Sequence, residues 1–427
     1  MMTDDDEAQN PHANEMLGKQ YLLGTEIVAR NPAKAVDYFD KAAQKGLPGA
    51  EYNLGWCYAN GVGVKKDMQM AIYYYKRSAD QFHTLAQFNL GLCLAMGDGI
   101  DKDEEVAAKW FTKAADQGLA NAQNKIGLCF QKGVGVEKDQ EVAIFRFRQA
   151  ADLGHVGGIF NLALCYSAGN GVQTDKVEAA RLYKQAAEKG YAPAENNLGW
   201  CYQTGTGIEV DYKEAAYWYI EAADKKYNAA MFNLGWLHAN GWGVTKDMAQ
   251  ACVWFKKAAD AGHVAAAYQL ACCLDCGVGV DLDLQQAARY FRKAACEERA
   301  DAQYRLAMCY QSGRGLEIDY QMAQIWYDKA ASNGHPHAQY ELGTMLLNGD
   351  QVARNEEQAK FWLDLAKESA RKVMAVDADG RFISTPLRRL HHTSILTDER
   401  RDVKKRKEAA FSVCESKYVK LGPYEAS

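Results

Sequence analysis

The sequence predicts an all-α solenoid of about ten helix-turn-helix repeats, followed by a C-terminal helical extension. Two residue types recur every 36 positions without insertion, and such a fixed period indicates stacked helical units that bury their apolar faces against one another. Alanine follows the glycine by ten residues in every copy, from Ala71 to Ala359. The glycines are Gly61, Gly97, Gly133, Gly169, Gly205, Gly241, Gly277, Gly313 and Gly349.

Each repeat consists of a helix A, a tight turn and a helix B. Residues 50–60 carry apolar side chains at helical spacing and precede Gly61, which suits a left-handed helix C-cap. Helix B follows an N-cap column, because Asp and Asn side chains accept hydrogen bonds from the first free amides. This column is Asp67, Asp103, Asp139, Asp175, Asp211, Asp247, Asp283, Asp319 and Asn355. Three residues later, capping boxes are predicted at Glu178, Glu214, Gln250, Gln286 and Gln358.

Composition and charge disfavour a nucleic-acid-binding, membrane-spanning or secreted protein. The net charge of −5 is mild and disfavours nucleic acid as a partner. No apolar run is long enough for a membrane span, and residues 1–10 lack a secretory signal. We therefore expect a cytoplasmic protein, with the nucleus as an alternative because of the basic C-terminal segment. The expected domains are a disordered acidic N-terminus (1–12), the solenoid (13–368) and a C-terminal extension (369–427).

The cysteines favour a reduced protein without a metal. Seven cysteines share one repeat column, and neighbours in this column lie one repeat apart, about 9–10 Å between packed helix axes, whereas a disulfide needs Cα atoms within about 7 Å. We expect the column cysteines to be buried apolar fillers: Cys57, Cys93, Cys129, Cys165, Cys201, Cys273 and Cys309. Cys272, Cys273 and Cys276 contain one Cys-x-x-Cys spacing, which Cys296 and His263 would have to complete as a zinc site. Without a second pair, no cofactor and no metal are predicted.

One copy carries a recognisable pattern: Ala86-Gln87, Leu90-Gly91, Gly97-Asp98-Gly99-Ile100, Asp103, Ala107, Trp110-Phe111, Lys113-Ala114-Ala115 and Gly118. It resembles the Sel1-like repeat, a relative of the tetratricopeptide repeat, over about residues 13–368. The resemblance implies a right-handed superhelix whose A helices line a concave groove. It also implies an adaptor or scaffold that assembles protein complexes.

The predicted partner-binding residues lie on helix A and face that groove by analogy with tetratricopeptide repeats. The aromatic positions are Tyr52, Trp56, Phe88, Phe160, Trp200, Phe232, Trp236, Tyr268 and Tyr304. The adjoining asparagines are Asn53, Asn89, Asn161, Asn197 and Asn233. Aromatic anchors often dominate protein interfaces. The alternatives are that the Tyr/Phe column packs against the next repeat and that the asparagines bond neighbouring turns. The tryptophans are less dictated by the repeat pattern and are the preferred anchors.

The remaining features leave several functions open. Four histidines, His83, His155, His263 and His335, share the start of helix A and are interpreted as structural. The basic run Lys404-Lys405-Arg406-Lys407 lies in a predicted helix at 397–420, which would be a cap, a partner-binding tail or an import signal. The favoured function is a non-catalytic scaffold for a protein or peptide, without a small-molecule substrate. A structural subunit of a large assembly and a thiol- or metal-dependent enzyme are the alternatives.

Overall fold

The computed structural model describes residues 10–25, 27–349 and 351–374, which form twenty α-helices and no strand. The helices are α1 (Pro11–Leu23), α2 (Pro32–Gln44), α3 (Pro48–Asn60), α4 (Met68–Asp80), α5 (Thr84–Met96), α6 (Glu104–Asp116), α7 (Ala120–Lys132), α8 (Gln140–Asp152), α9 (Val156–Ala168), α10 (Lys176–Ala187), α11 (Ala192–Thr204), α12 (Tyr212–Asp224), α13 (Asn228–Asn240), α14 (Met248–Asp260), α15 (Val264–Cys276), α16 (Leu284–Cys296), α17 (Ala300–Ser312), α18 (Tyr320–Ser332), α19 (Pro336–Asn348) and α20 (Glu356–Met374). Odd-numbered helices are A and even-numbered helices are B, which confirms the predicted all-α fold of ten pairs.

The chain divides into two compact units within α11. Of the described residues, the first unit holds those up to Ala194 together with Thr206–Ile208, and the second holds Glu195–Gly205 and those from Glu209 onward. The predicted acidic segment lies mostly outside the described residues, and α1 begins at Pro11, capped by the Asn10 side chain. The predicted helix at 397–420 and its basic run lie outside them entirely.

The helix ends follow the predicted caps. Gly61 adopts a left-handed conformation with φ 68°, and its N–H donates to the Cys57 carbonyl. The Asp67 side chain accepts from the N–H of Met70 at 3.1 Å, and the same N-cap bond recurs down the Asp column to Asn355. Repeat boundaries are therefore fixed by short-range hydrogen bonds that the sequence displays directly.

The predicted capping boxes do not form in the expected way. A capping box needs the N-cap N–H to be free for the Glu or Gln side chain. Here the N–H of Asp175 donates to the Tyr166 carbonyl of the preceding helix A at 3.0 Å. Glu178 instead pairs with Arg181 at 2.7 Å, and Gln286 donates to the Asp283 carboxylate at 2.7 Å. The carbonyl of the preceding helix A therefore accepts the hydrogen bond that the Glu or Gln side chain would accept in a capping box.

Within a repeat, a glycine of helix A lets a ring of helix B pack directly on the backbone. A Cβ added at Gly55 would lie 2.8 Å from the Tyr75 ring and 3.1 Å from the Ala71 carbonyl oxygen. The same contact joins Gly91 to Phe111, which is 1% exposed. This close approach places the helix B ring against the helix A backbone.

The second glycine of each turn contacts the preceding repeat. A Cβ at Gly135 would come within 2.0 Å of the Glu104 carbonyl oxygen, at the start of the preceding helix B. Equivalent approaches of 1.9 to 2.4 Å to a carbonyl oxygen occur at Gly63, Gly171, Gly207, Gly243, Gly279 and Gly315. The turn is therefore an inter-repeat joint as well as a connection.

Buried glutamines tie each helix A to the preceding helix B. Gln87 donates to the Ala79 carbonyl at 3.2 Å, and Gln123 donates to the Ala115 carbonyl at 2.6 Å. In two repeats the column holds a buried carboxylate instead. Glu51 pairs with Arg77 at 2.6 Å, and Glu195 pairs with Lys225. A cation therefore accompanies the acid wherever it replaces the neutral amide, as a buried charge requires.

The histidine column caps helix A. Nδ1 of His263 accepts from the N–H of Ala266 at 3.1 Å, and His83, His155 and His335 make the same bond. This bond needs a neutral ring, because a protonated Nδ1 can only donate. Burial lowers the pKa of His263 to about 4, and burial also lowers the pKa of His83 and His155.

Replacing His263 by asparagine should reduce the acid sensitivity of the protein. A lowered histidine pKa provides stability above about pH 6.5 that is lost as the pH falls toward the folded-state value. Asparagine caps a helix without titrating. Between pH 7 and 4.5, we expect His263→Asn to lose about 1–2 kcal/mol less unfolding free energy than wild type, measured by urea denaturation at both pH values. An equal loss in both proteins would contradict this assignment.

Candidate functional site

The predicted aromatic column lies between helices of adjacent repeats. Tyr52 stacks on His83 at 4.8 Å and lies 6.0 Å from Tyr75, ring centroid to ring centroid. In the second unit, Phe232 stacks on His263 at 4.5 Å and lies 5.8 Å from Phe255. Similar ring contacts occur at Phe88, Phe160, Tyr268 and Tyr304. These rings perform the packing role of the alternative interpretation, and all except the buried Tyr268 keep a partly exposed edge.

The asparagine column links successive A helices. Asn161 donates to Asn124 at 2.8 Å, and Asn233 donates to Asn196 at 2.9 Å. Asn53 donates to Glu15 at 3.4 Å, and the side chain of Asn89 bonds Tyr52. Asn197 is buried beside Asn196. The asparagines therefore have protein partners already, and a role in holding a peptide backbone stays a prediction.

The three tryptophans differ in their surroundings. Trp236 packs edge-on against Phe255 at 5.9 Å and Phe232 at 6.3 Å. Trp56 is 36% exposed, Trp200 is partly exposed, and neither makes a ring contact within the described residues. Trp56 and Trp200 occupy the same repeat position, one in each unit. We call the repeat positions of the predicted aromatic and asparagine residues on the A helices, taken separately in each unit, the A row.

A second set of exposed apolar side chains occupies one repeat position on the B helices. This set was not predicted from the sequence. It comprises Tyr73 and Phe145 in the first unit and Tyr217, Val253, Ile325 and Phe361 in the second, each between 45% and 59% exposed. We call this set the B row. Beside its last members, a cleft of about 520 Å³ lies between α18 and α20, and its lining includes Trp362. The same repeat position holds Lys109, Arg181 and Arg289 in other repeats. Because these charged residues interrupt the apolar ones, the sequence alone did not reveal the B row.

Charged side chains replace the asparagine column in the last repeats. Arg305 bonds Tyr268 and faces Cys272 and Asp275. Arg314 also pairs with Asp275 at 2.8 Å. Glu341, one repeat beyond Arg305, is partly buried. The A row of the second unit is thus neutral at Asn197 and Asn233 and charged toward its C-terminal end.

The column cysteines are buried and reduced, as predicted, and no disulfide forms among the described cysteines. Burial raises the pKa of Cys57, Cys93 and Cys165 to about 11, which keeps these thiols protonated. Cys273 is hydrogen-bonded to Cys252 of α14, a partner that lies off the column and was not predicted. Cys296 is exposed. The described residues contain no group of three His, Cys, Asp or Glu side chains arranged to hold a metal ion.

Comparison with known proteins agrees with this architecture. A family model described as "Sel1 repeat" matches residues 11–47, 48–81, 84–119, 120–155, 157–191, 192–227, 228–263, 264–298, 300–335 and 336–369. The chain belongs to the Sel1 repeat family. These ten matches coincide with the ten A–B pairs. Within the described part of this Sel1 repeat protein, no helix combines the length and apolarity that a membrane crossing demands.

Two solved structures and one curated protein are similar to this chain. A protective antigen of uropathogenic Escherichia coli is 27% identical, with a TM-score of 0.59 over 99% of this chain and 98% of that one. A Sel1 repeat protein from Oxalobacter formigenes is 32% identical, with a TM-score of 0.53 over 57% of this chain and 96% of that one. The ERAD-associated E3 ubiquitin-protein ligase component HRD3B of Arabidopsis thaliana is 46% identical over 55 residues, or 13% of this chain. The match spans 9% of the length of HRD3B.

Proposed function

We propose that this Sel1 repeat protein is a non-catalytic scaffold that holds a protein partner against the A row, with Trp56 and Trp200 as the principal anchors. The observation that supports this proposal is the placement of two accessible indoles at one repeat position, outside the ring packing that engages the Tyr/Phe column. A large ring is held by a rigid helix on each unit, which lowers the entropy lost on binding. Indole side chains are prominent among interface hot spots.

We place this protein in a reducing compartment because its column cysteines are buried and free of disulfides. Protonated, buried thiols at Cys57, Cys93 and Cys165 are poor nucleophiles and poor metal ligands. This favours a binding role over the thiol- or metal-dependent alternative. Cytoplasmic location remains part of the proposal.

The proposal predicts that Trp56→Ala and Trp200→Ala together will reduce partner recovery at least tenfold. Truncating two partly exposed rings removes contact area from an interface while leaving most of the core in place. Recovery is measured by affinity purification and quantitative mass spectrometry of proteins bound by wild type but not by the variant. Circular dichroism and urea denaturation should show a native helix content and a stability loss of about 1–2 kcal/mol per site at most.

Tyr73→Ala with Tyr217→Ala provides the matched control, because these B-row rings are also four repeats apart and each is 50% exposed. Retained binding in this control and lost binding in the tryptophan variant supports the A row. The exposed B row favours a second candidate, a structural subunit that buries its B helices in a larger assembly. Loss of binding only in the tyrosine variant would select that candidate and reject the A row.

A further inference from the structure

All but one of the acidic side chains on the described A helices are paired with a cation. Six such residues lie in the described A helices: Glu15, Glu51, Glu195, Asp275, Asp301 and Glu341. The first five each have a cation within 4 Å, namely Lys19, Arg77, Lys225, Arg314 and Arg299. Glu341 has no ion pair and no hydrogen bond with any described residue, although it is partly buried.

This exception is costly for the free protein. A partly buried carboxylate without a cation loses part of its solvation, and no described residue compensates this loss. Burial raises the pKa of Glu341, and no neighbouring cation opposes the shift. The corresponding position one repeat earlier holds Arg305, but that guanidinium is engaged by Tyr268 and Asp275 of the preceding repeat. A charge complement for Glu341 is therefore missing from the described part of the fold.

Two phenol rings lie close enough to this carboxylate for its charge to act on them, those of Tyr304 and Tyr327. The Tyr304 ring lies 4.5 Å from the His335 ring and 6.0 Å from the ring of the exposed His337, centroid to centroid. Burial, with the added negative charge of Glu341, raises the pKa of Tyr304 to about 12, so its phenol stays neutral. His337 and Glu341 are one helical turn apart on α19. A carboxylate beside aromatic faces is the chemistry that recognises an ammonium or guanidinium group.

We propose that Glu341, Tyr304 and His337 form a binding site for one basic side chain, Lys or Arg, of a protein partner lying on the A row. This inference rests on the proposed scaffold function, because it assigns the chemistry of one contact within that surface. The incoming cation neutralises Glu341, and the apolar stem of its side chain packs against the partly exposed Tyr304 ring. Elsewhere on the A helices the protein supplies this cation itself, as Arg77 does for Glu51.

The test uses the full-length protein and two terminally blocked peptides, acetyl-Ala-Ala-Leu-Lys-Leu-Ala-Ala-amide and its counterpart with Gln in place of Lys. We expect the Lys peptide to bind at least fivefold more tightly in NMR titrations at low ionic strength. Glu341→Gln should reduce this preference to less than twofold. Asp301→Asn, which removes an ion-paired carboxylate of α17, should leave it unchanged. Equal binding of both peptides by wild type, or a preference that survives Glu341→Gln, would overturn the proposal.

Two further measurements separate the remaining explanations. Glu341→Gln should raise the urea midpoint of the free protein, since it removes an unpaired charge, whereas a lower midpoint would indicate a structural role and overturn the proposal.

A full-length variant with Lys404, Lys405, Arg406 and Lys407 changed to Gln tests the chain's own basic segment as the occupant. A Lys preference that appears only in this variant would overturn the assignment to a partner. Tryptophan-dependent partner capture without any Lys preference would reject this site alone and leave the scaffold function standing.

Discussion

Gly135→Ala should destabilise the protein by about 3 kcal/mol or more, because the new methyl group has no room and the backbone is strained. Its Cβ would lie 2.0 Å from the Glu104 carbonyl oxygen, and its φ of 68° is unfavourable for any residue with a side chain. The carbonyl belongs to the backbone of α6 and cannot rotate away. The effect should appear in urea denaturation as a lower unfolding free energy, with the junction between the third and fourth repeats opening first in hydrogen exchange.

Gly118→Ala is the matched control for Gly135→Ala. Gly118 also has a positive φ, 85°, but a Cβ there would meet no atom within 4 Å. This variant isolates the conformational cost, which is about 1 kcal/mol. Similar losses in both variants would show that the turn glycines serve backbone geometry alone and that the inter-repeat contact contributes little.

Arg77→Ala should destabilise the protein by about 2–3 kcal/mol at pH 8, because it leaves Glu51 charged and buried. The guanidinium is 41% exposed, which places the expected loss below that of a fully buried pair. In a Glu51→Gln background, the same Arg77→Ala change should cost less than about 0.5 kcal/mol. Glutamine is the residue this column uses in other repeats, as at Gln87, where it donates to a carbonyl of the preceding helix B.

The loss of unfolding free energy in Arg77→Ala should also depend on pH. Burial raises the pKa of Glu51, while the charge of Arg77 opposes this shift, so removing Arg77 raises the pKa further. A raised carboxyl pKa gives stability that is present at low pH and is lost as the pH rises through the folded-state value. The difference between Arg77→Ala and wild type should therefore shrink as the pH falls from 8 toward 4.5. A deficit independent of pH would assign the loss to packing of the arginine stem.

The parts of the fold that depend on short-range rules could be predicted from the sequence. Gly61 ends helix A and Asp67 caps helix B because both act on backbone groups a few residues away. Gln286 shows the limit of such rules, since a carbonyl of the preceding helix A occupies the amide that a capping box would use. A local motif cannot reveal that competition, because the competing acceptor arrives only when the two helices pack.

The candidate site was less accessible to sequence reasoning, since it depends on which side chains find partners. Phe232 and Trp236 occupy similar helix A positions to Tyr52 and Trp56, but only the packed structure separates the indole of Trp236, which contacts Phe255, from that of Trp56. Glu341 could have been singled out from the sequence, because it places a charged residue at the repeat position that holds asparagine in other repeats. Its lack of a partner became visible only when the partners of the other five acidic residues were located.

Three recurring inter-repeat contacts join a helix or turn to residues that come earlier in the chain. Gly135 contacts the start of α6, Gln123 donates to the end of α6, and Asn161 donates to Asn124. During synthesis on the ribosome, each new repeat would therefore meet a surface that has already emerged and folded. Such sequence-local closure favours rapid folding from the N-terminus onward. Removing a whole 36-residue segment would rejoin surfaces with the same glycine and carbonyl contacts, so the length of the array can change while this backbone joint is kept.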